Sequence, residues 1–154
     1  MASSSSNAPE TTPASYASER PLVLVADDHE DTRLLYRTVM ETRGYCVIEA
    51  ADGEETVRTA ESARPDLILM DGSLPRMSGL DATRQIRSSA DVGKVPIVFI
   101  SGHAGTVFPE LAREAGCDEY LLKPFSLDKL EHILEKYCSK NGRAIAILDS
   151  GKGV

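Results

Sequence analysis

Residues 65–79 read Pro65-Asp-Leu-Ile-Leu-Met-Asp71-Gly-Ser-Leu-Pro75-Arg-Met-Ser-Gly79. Four apolar residues in a row, Leu67–Met70, lie between an Asp on one side and Asp71 on the other. The run is too short for a helix. It has no polar alternation, which predicts a strand covered on both faces, as inside a parallel sheet. It ends on Asp71 and a Gly-Ser-Leu-Pro turn, so the chain leaves the core there carrying a carboxylate.

The same texture recurs on either side. Leu22–Ala26, Tyr45–Ala50, Val95–Ile100 and Tyr120–Leu122 are further short apolar runs. Amphipathic stretches separate them. Glu30–Arg43 sets Leu35, Val39 and Met40 on one face, with Gly44 as a stop. Gly53–Ala63 carries Val57 and Ala60 and is closed by Arg64-Pro65. Gly79–Ser88 carries Leu80, Thr83 and Ile86, and Val107–Ala115 carries Leu111 and Ala115 ahead of Gly116. In Ser126–Tyr137, Leu127, Leu130, Leu134 and Tyr137 recur at helical spacing, with Ser126 as N-cap. Strand and helix thus alternate five times. This predicts an α/β fold, a doubly wound five-stranded parallel sheet with helices on both faces. Tyr45–Ala50 contains Glu49 and is the most polar of the strands, which suits a sheet edge.

Composition bounds the rest. At 154 residues, with 42% hydrophobic and 27% charged side chains, the chain is expected to form one globular domain. Residues 1–20, with six serines and two prolines, read as a disordered tail; 21–138 form the body; 139–154 form a short extension of uncertain structure around the apolar run 144–148. The body holds 13 basic and 21 acidic side chains within a net charge of −7 for the chain. That weighs against a direct nucleic-acid partner. No apolar run is long enough for a membrane span, and the start lacks the pattern of a secretory signal. The three cysteines, Cys46, Cys117 and Cys138, are widely spaced and odd in number, pointing to reduced thiols and a cytoplasmic location.

In open parallel sheets the functional groups gather at the carboxyl ends of the strands. Asp27 and Asp28 follow the first strand, Asp71 the third, Ser101 the fourth, and Lys123-Pro124 the fifth. Carboxylates so gathered repel one another and require positive charge. Lys123 supplies part of it. The oxygen-rich donor set suits a hard ion such as Mg²⁺, with Mn²⁺ as its substitute. A carboxylate beside such an ion can act as a nucleophile toward phosphorus and form an acyl phosphate. Ser101 and Lys123 would then contact the phosphoryl oxygens.

Taken singly, these residues have ordinary roles. Asp27 and Asp28 could be a helix cap and a solvated strand end, Asp71-Gly72 a turn, Lys123 a surface lysine, and Tyr120 plain core. In this order, each after its own strand, they resemble the response-regulator receiver domain of two-component signalling. The matching stretches are Leu22-Val-Leu-Val-Ala-Asp-Asp28, Leu67-Ile-Leu-Met-Asp71 with Leu74-Pro75 and Met77-Ser78-Gly79, Val98-Phe-Ile-Ser101-Gly102-His103, and Gly116-Cys-Asp-Glu-Tyr120-Leu-Leu-Lys123-Pro124-Phe125. The resemblance spans about residues 21–138 and implies a flavodoxin-like sheet of order 2-1-3-4-5.

It also implies roles. Asp71 is the phospho-acceptor. Asp28 binds Mg²⁺ directly, Asp27 through water, and the Ser73 main-chain carbonyl completes the ligand set with Asp71. Ser101 and Lys123 contact the phosphoryl group, and the Lys123-Pro124 bond is cis. Ser101 and Tyr120 form the switch, and Ser73 and His103 modulate dephosphorylation. His29 either lines the rim of the site or faces water, and His132 faces solvent. The implied partners are a histidine kinase or histidine phosphotransfer protein and a downstream protein target, with a phosphorylation-dependent homodimer as a further expectation. The output face is helix 4, strand 5 and helix 5, with Arg113, Asp118, Glu119, Lys129 and Lys136 as candidate surface residues. The implied protein is a switch with self-phosphotransfer and autodephosphorylation activity, not a turnover enzyme.

Two alternatives stand beside it. A phosphatase with an Asp nucleophile would want a second Asp where Ser73 lies. A receiver-like interaction domain that is never phosphorylated would not need the full Asp27, Asp28, Asp71, Ser101 and Lys123 set. Departures from the family pattern are small. Gly72 follows the acceptor and is expected to loosen that loop, and Ser replaces the commoner Thr at 101.

Overall fold

The computed structural model describes residues 20–102 and 107–138. The expected tail, the C-terminal extension with its run 144–148, and His103 therefore lie outside the described residues, apart from Arg20 of the tail. The strands are β1 (Leu22–Ala26), β2 (Cys46–Ala50), β3 (Leu67–Asp71), β4 (Ile97–Ser101) and β5 (Glu119–Leu122). The helices are α1 (Glu30–Thr42), α2 (Gly53–Ala63), α3 (Gly79–Arg87), α4 (Val107–Ala115) and α5 (Leu127–Cys138). All pairings are parallel, in the order β2-β1-β3-β4-β5. The expected flavodoxin-like topology is thus present, with the Glu49-bearing strand at an edge.

Register decides which side chains meet. Val23 pairs with Leu67, and Leu69 with Val98. Alternate residues point to opposite sides of the sheet. Val23, Val25, Leu67, Leu69, Val98 and Ile100 therefore fill one core layer with α1 and α5, through Tyr36, Met40, Leu130, Ile133 and Leu134. Leu24, Ala26, Ile68, Met70, Ile97 and Phe99 fill the other, against Val57, Ala60, Ala82, Ile86 and Ala112 of α2, α3 and α4. Every residue of β3 and β4 is buried, as their unbroken apolar runs require.

Helix ends follow their local chemistry. Asp52 caps α2 by accepting from the Glu55 N–H at 2.7 Å, while Glu55 reaches back to the Ala51 N–H at 2.8 Å. This reciprocal pair satisfies two donors that a helix start leaves open. Ser126 caps α5 through the Lys129 N–H, as expected, and Ser78 caps α3 through the Asp81 N–H. Gly44 after α1 and Gly116 after α4 have φ of 92° and 112°, a left-handed region that disfavours a Cβ.

Two helix faces differ from expectation. Leu35 is 53% exposed beside Leu34 at 59%, while Met40 is buried as expected, Val39 packs half-buried against the same core, and Tyr36 is buried in addition. The inward stripe of α1, which packs on β1 and β2, is centred on Tyr36 and Met40. Leu127, at the first turn of α5, is 48% exposed, and burial on this helix begins with Leu130.

Candidate functional site

The strand ends converge at one edge of the sheet. Asp27 follows β1 and is tied by its N–H to the Ala50 carbonyl of β2 at 3.0 Å. Asp71 is the last residue of β3, paired in register with Ile100, and the Gly72 N–H donates to the Ile100 carbonyl at 2.9 Å. Ser101 ends β4 and is 1% exposed; its carbonyl accepts from the Lys123 N–H at 2.8 Å. Parallel register thus brings together residues that lie as much as 96 positions apart in the chain, Asp27 to Lys123.

Side chains close the group. Lys123 Nζ lies 3.5 Å from Asp27 Oδ2 and 3.7 Å from Asp71 Oδ2. Asp71 Oδ1 accepts from the Ser73 N–H at 3.1 Å, which holds the start of the β3–α3 loop over the carboxylate. Ser73 itself is exposed, and Asp28 stands exposed at the mouth. Asp27 and Asp71 are 2% and 5% exposed. Carboxylates so buried are not fully matched by one ammonium. Burial first, then the Asp27 charge and more weakly Asp28, push Asp71 above its ordinary acidity, against the Ser73 N–H and Lys123. The same burial, with the charges of Asp27 and Asp71, pushes the Tyr36 phenol up to about 12.

A metal fits this donor set. One ligand atom each from Asp27, Asp28, His29 and Asp71 lies within 4.8 Å of the others. Three carboxylates against Lys123 leave an excess of two negative charges, the amount one divalent cation neutralises.

Some contributors were not legible in the sequence. Arg33, 15% exposed on α1, donates through Nη1 to the Asp27 carbonyl at 2.7 Å and through Nε to Glu49 Oε1 at 2.7 Å. Arg37 Nη1 meets the other oxygen of Glu49 at 2.8 Å. Two arginines four apart on α1, facing the one acid of the edge strand, were the available signal. Gly72 lies against a packed ring. A Cβ there would lie 2.8 Å from Phe99 Cε2, and one at Gly79 would lie 2.5 Å from the Asp71 carbonyl oxygen. The missing side chains let the Phe99 ring seat directly behind the Asp71 backbone. On its other side Phe99 stacks against Tyr120, with ring centroids 6.1 Å apart. The Lys123-Pro124 bond is cis, as the resemblance implied. His132 is exposed, and His29 lines the rim.

At the far edge, Glu119 accepts from the Tyr137 hydroxyl at 2.6 Å and from Lys136 at 3.1 Å. Asp118 is held by Arg87 Nη2 at 2.9 Å and by the Ile97 N–H at 2.8 Å. These two candidate surface acids are thus engaged within the fold. Arg113 and Lys129 are exposed.

Comparison with known proteins agrees with this geometry. The family model of the response regulator receiver domain matches residues 23–135. The polar-differentiation response regulator DivK of Brucella anthropi is 32% identical over 115 residues, covering 75% of this chain and 94% of that protein. Among solved structures, the receiver domain of the sensor histidine kinase PA1611 from Pseudomonas aeruginosa, with magnesium coordinated in its active-site cleft, is 35% identical. It superposes with a TM-score of 0.72 over 77% of this chain and 97% of that one. The Vibrio cholerae chemotaxis protein CheY4 is 27% identical, with a TM-score of 0.72 over 77% and 98% of the two chains. A parallel sheet of this order, with its acids and lysine gathered at the strand ends, carries through to sequence kinship, and the chain belongs to the response regulator receiver domain family.

Proposed function

We propose that this receiver accepts a phosphoryl group on Asp71 from a histidine kinase or a histidine phosphotransfer protein. The observation that carries the reading is the buried Asp71 carboxylate facing Lys123, with Asp27 and Asp28 leaving two uncompensated charges at the same edge. In the transfer, an Asp71 oxygen forms a bond to phosphorus as the bond from phosphorus to the donor's imidazole nitrogen breaks, giving an acyl phosphate and a free imidazole. Asp28, Asp71 and the Ser73 carbonyl would hold Mg²⁺ directly and Asp27 through water. The ion would neutralise charge on the transferring oxygens. Lys123 pairs with one phosphoryl oxygen, and the Ser101 hydroxyl donates to another. Ser73, and His103 among the residues not described, govern how readily water attacks the acyl phosphate.

The output follows from the change in charge. Ser101 is drawn toward the phosphoryl group, the chain after β4 reorders, and Tyr120 moves inward. Its half-buried position against Phe99 gives it a seat to move from. The face of α4, β5 and α5 then favours a downstream protein target. Beside the pocket, Leu34 and Leu35 on α1 and Leu122 and Leu127 around the β5–α5 loop are exposed. Tyr36 of α1 stacks on Phe125 of that loop at 6.1 Å, so the two leucine-bearing elements are neighbours, and their exposed leucines offer apolar area to a donor protein. Among the described residues no helix is long and apolar enough to cross a membrane.

The test is intact mass after incubation with acetyl phosphate and Mg²⁺. One phosphoryl group is expected on the wild type, lost with chelator and absent from Asp71→Ala. An adduct that survives in Asp71→Ala assigns the acceptor elsewhere. No adduct, with acyl-phosphate lifetime controlled by rapid acid quench, favours an interaction domain that is not phosphorylated.

A further inference from the structure

His29 is the N-cap of α1, yet its side chain makes no capping hydrogen bond to that helix. Its ring turns to the acidic edge instead. Nδ1 lies 3.1 Å from Asp28 Oδ1 and 3.2 Å from Asp27 Oδ1. The residue is fixed there by its own N–H, which donates to Asp27 Oδ1 at 2.8 Å. Neighbouring donors on one octahedral ion, with bonds of about 2.1 Å, are separated by about 3.0 Å, and opposite donors by about 4.2 Å. The 3.1 Å separation of Nδ1 from Oδ1 of Asp28, the carboxylate proposed to bind the ion directly, matches the first distance.

We infer that His29 is an additional metal ligand that gives this pocket two modes of ion binding. The inference rests on the proposal that Asp28 and Asp71 hold a divalent cation. A hard ion such as Mg²⁺ takes the carboxylates and keeps water in its remaining positions, leaving the imidazole aside. A borderline ion (Co²⁺, Ni²⁺ or Zn²⁺) recruits Nδ1, because imidazole nitrogen suits these ions and carboxylate oxygen alone does not select them. The side chain is 69% exposed, so the ring can swing onto an ion or away from it without repacking the core. His29 therefore sets which ions compete with Mg²⁺ at the phospho-acceptor. The ligand class is a borderline divalent cation bound by one nitrogen and carboxylate oxygens.

The test uses the full chain and His29→Gln at about pH 8, where an ordinary imidazole is neutral. Glutamine keeps a polar group beside the carboxylates but is a poor ligand. Calorimetric titrations with Ni²⁺ and with Mg²⁺ are run on both proteins. Nickel affinity is expected to fall in His29→Gln by at least the roughly 10–100-fold that loss of a ligand's supporting partner typically costs. Magnesium affinity is expected to stay the same. In parallel, long-range ¹H–¹⁵N spectra should show Zn²⁺ displacing the His29 Nδ1 resonance, with Mg²⁺ leaving it in place. The chain has three histidines, and the signal missing from His29→Gln identifies this one. Equal loss of both affinities overturns the inference, because His29 would then act only on the carboxylates. An unchanged nickel affinity, or an Nδ1 resonance blind to Zn²⁺, overturns it too. In those cases normal Mg²⁺ binding leaves the proposed phospho-acceptor site standing. Failure of the wild type to bind any of these ions removes that site reading as well.

Discussion

Asp71 at the carboxyl end of β3 and Glu119 at the amino end of β5 each have a lysine within reach, Lys123 Nζ at 3.7 Å and Lys136 Nζ at 3.1 Å. Their acidities nevertheless move in opposite directions. Asp71 is raised, chiefly by burial and then by its neighbouring carboxylate Asp27. Glu119 also feels burial, but hydrogen bonds from Tyr137 and Lys136 outweigh it and hold the carboxyl below its ordinary value. The Tyr137 phenol is raised in turn, by burial and by its bond to Glu119. A nearby cation therefore does not decide the state of a carboxylate. What decides is whether the remaining lone pairs find donors and whether other acids share the space. The β5–α5 seam satisfies itself, while the strand-end pocket keeps an excess of charge that only something from outside can balance.

The largest expected effect tests that excess. Mg²⁺ at a hundredfold excess over its dissociation constant should stabilise the protein by about 2.7 kcal/mol, roughly a 10 °C rise in the thermal midpoint. Glu119→Gln should keep the whole increment and Asp28→Asn should lose most of it, both read by thermal unfolding with and without Mg²⁺. Next comes the packing behind the acceptor. Gly72→Ala should cost about 1–3 kcal/mol in denaturant unfolding, because the Phe99 ring occupies the place of the new methyl group. No loss there would mean that the loop after Asp71 yields easily.

A smaller pair of changes should have opposite signs. Without metal, Asp71→Asn should raise the midpoint by several degrees, since it removes a buried charge that its neighbours disfavour. Glu119→Gln should lower stability by about 1 kcal/mol, the worth of a hydrogen bond at a half-exposed seam. Shifts of the same sign would break the contrast.

The pH dependence is the smallest and sharpest test. Asp71 has a raised folded-state pKa, so it disfavours folding increasingly as pH rises from its ordinary value of 3.8 through the raised one. Glu119 has a lowered folded-state pKa. Its contribution is complete above its ordinary value of 4.5 and is lost as pH falls through the lowered one. Metal-free midpoints between about pH 3 and 7 should therefore lose their alkaline-side decline in Asp71→Asn and part of their acid-side decline in Glu119→Gln.

The legibility of the molecule divides along physical lines. Strand interiors were readable because burial on both faces leaves no place for charge, so Leu67–Met70 and Val98–Ile100 announce themselves. Asp71 and Lys123 were readable because a parallel sheet sends every strand end to the same edge. Leu35 was misjudged because helical periodicity gives the spacing of a stripe but not its centre, and α1 turns Tyr36 and Met40 inward. The packing at Gly72 was not legible because it depends on Phe99, 27 residues later, taking the space its side chain would fill.

By itself, then, the amino-acid order determined the alternation of strands and helices, the acidic edge and its chemical kind, since these follow from local burial pattern and from the residues that end each strand. Tertiary structure alone decided the balance within that edge. It set Lys123 between Asp27 and Asp71, Arg33 on the Asp27 carbonyl and Phe99 behind Gly72. Those contacts join residues from different elements, and their distances depend on register and crossing angle, which no local stretch of sequence contains.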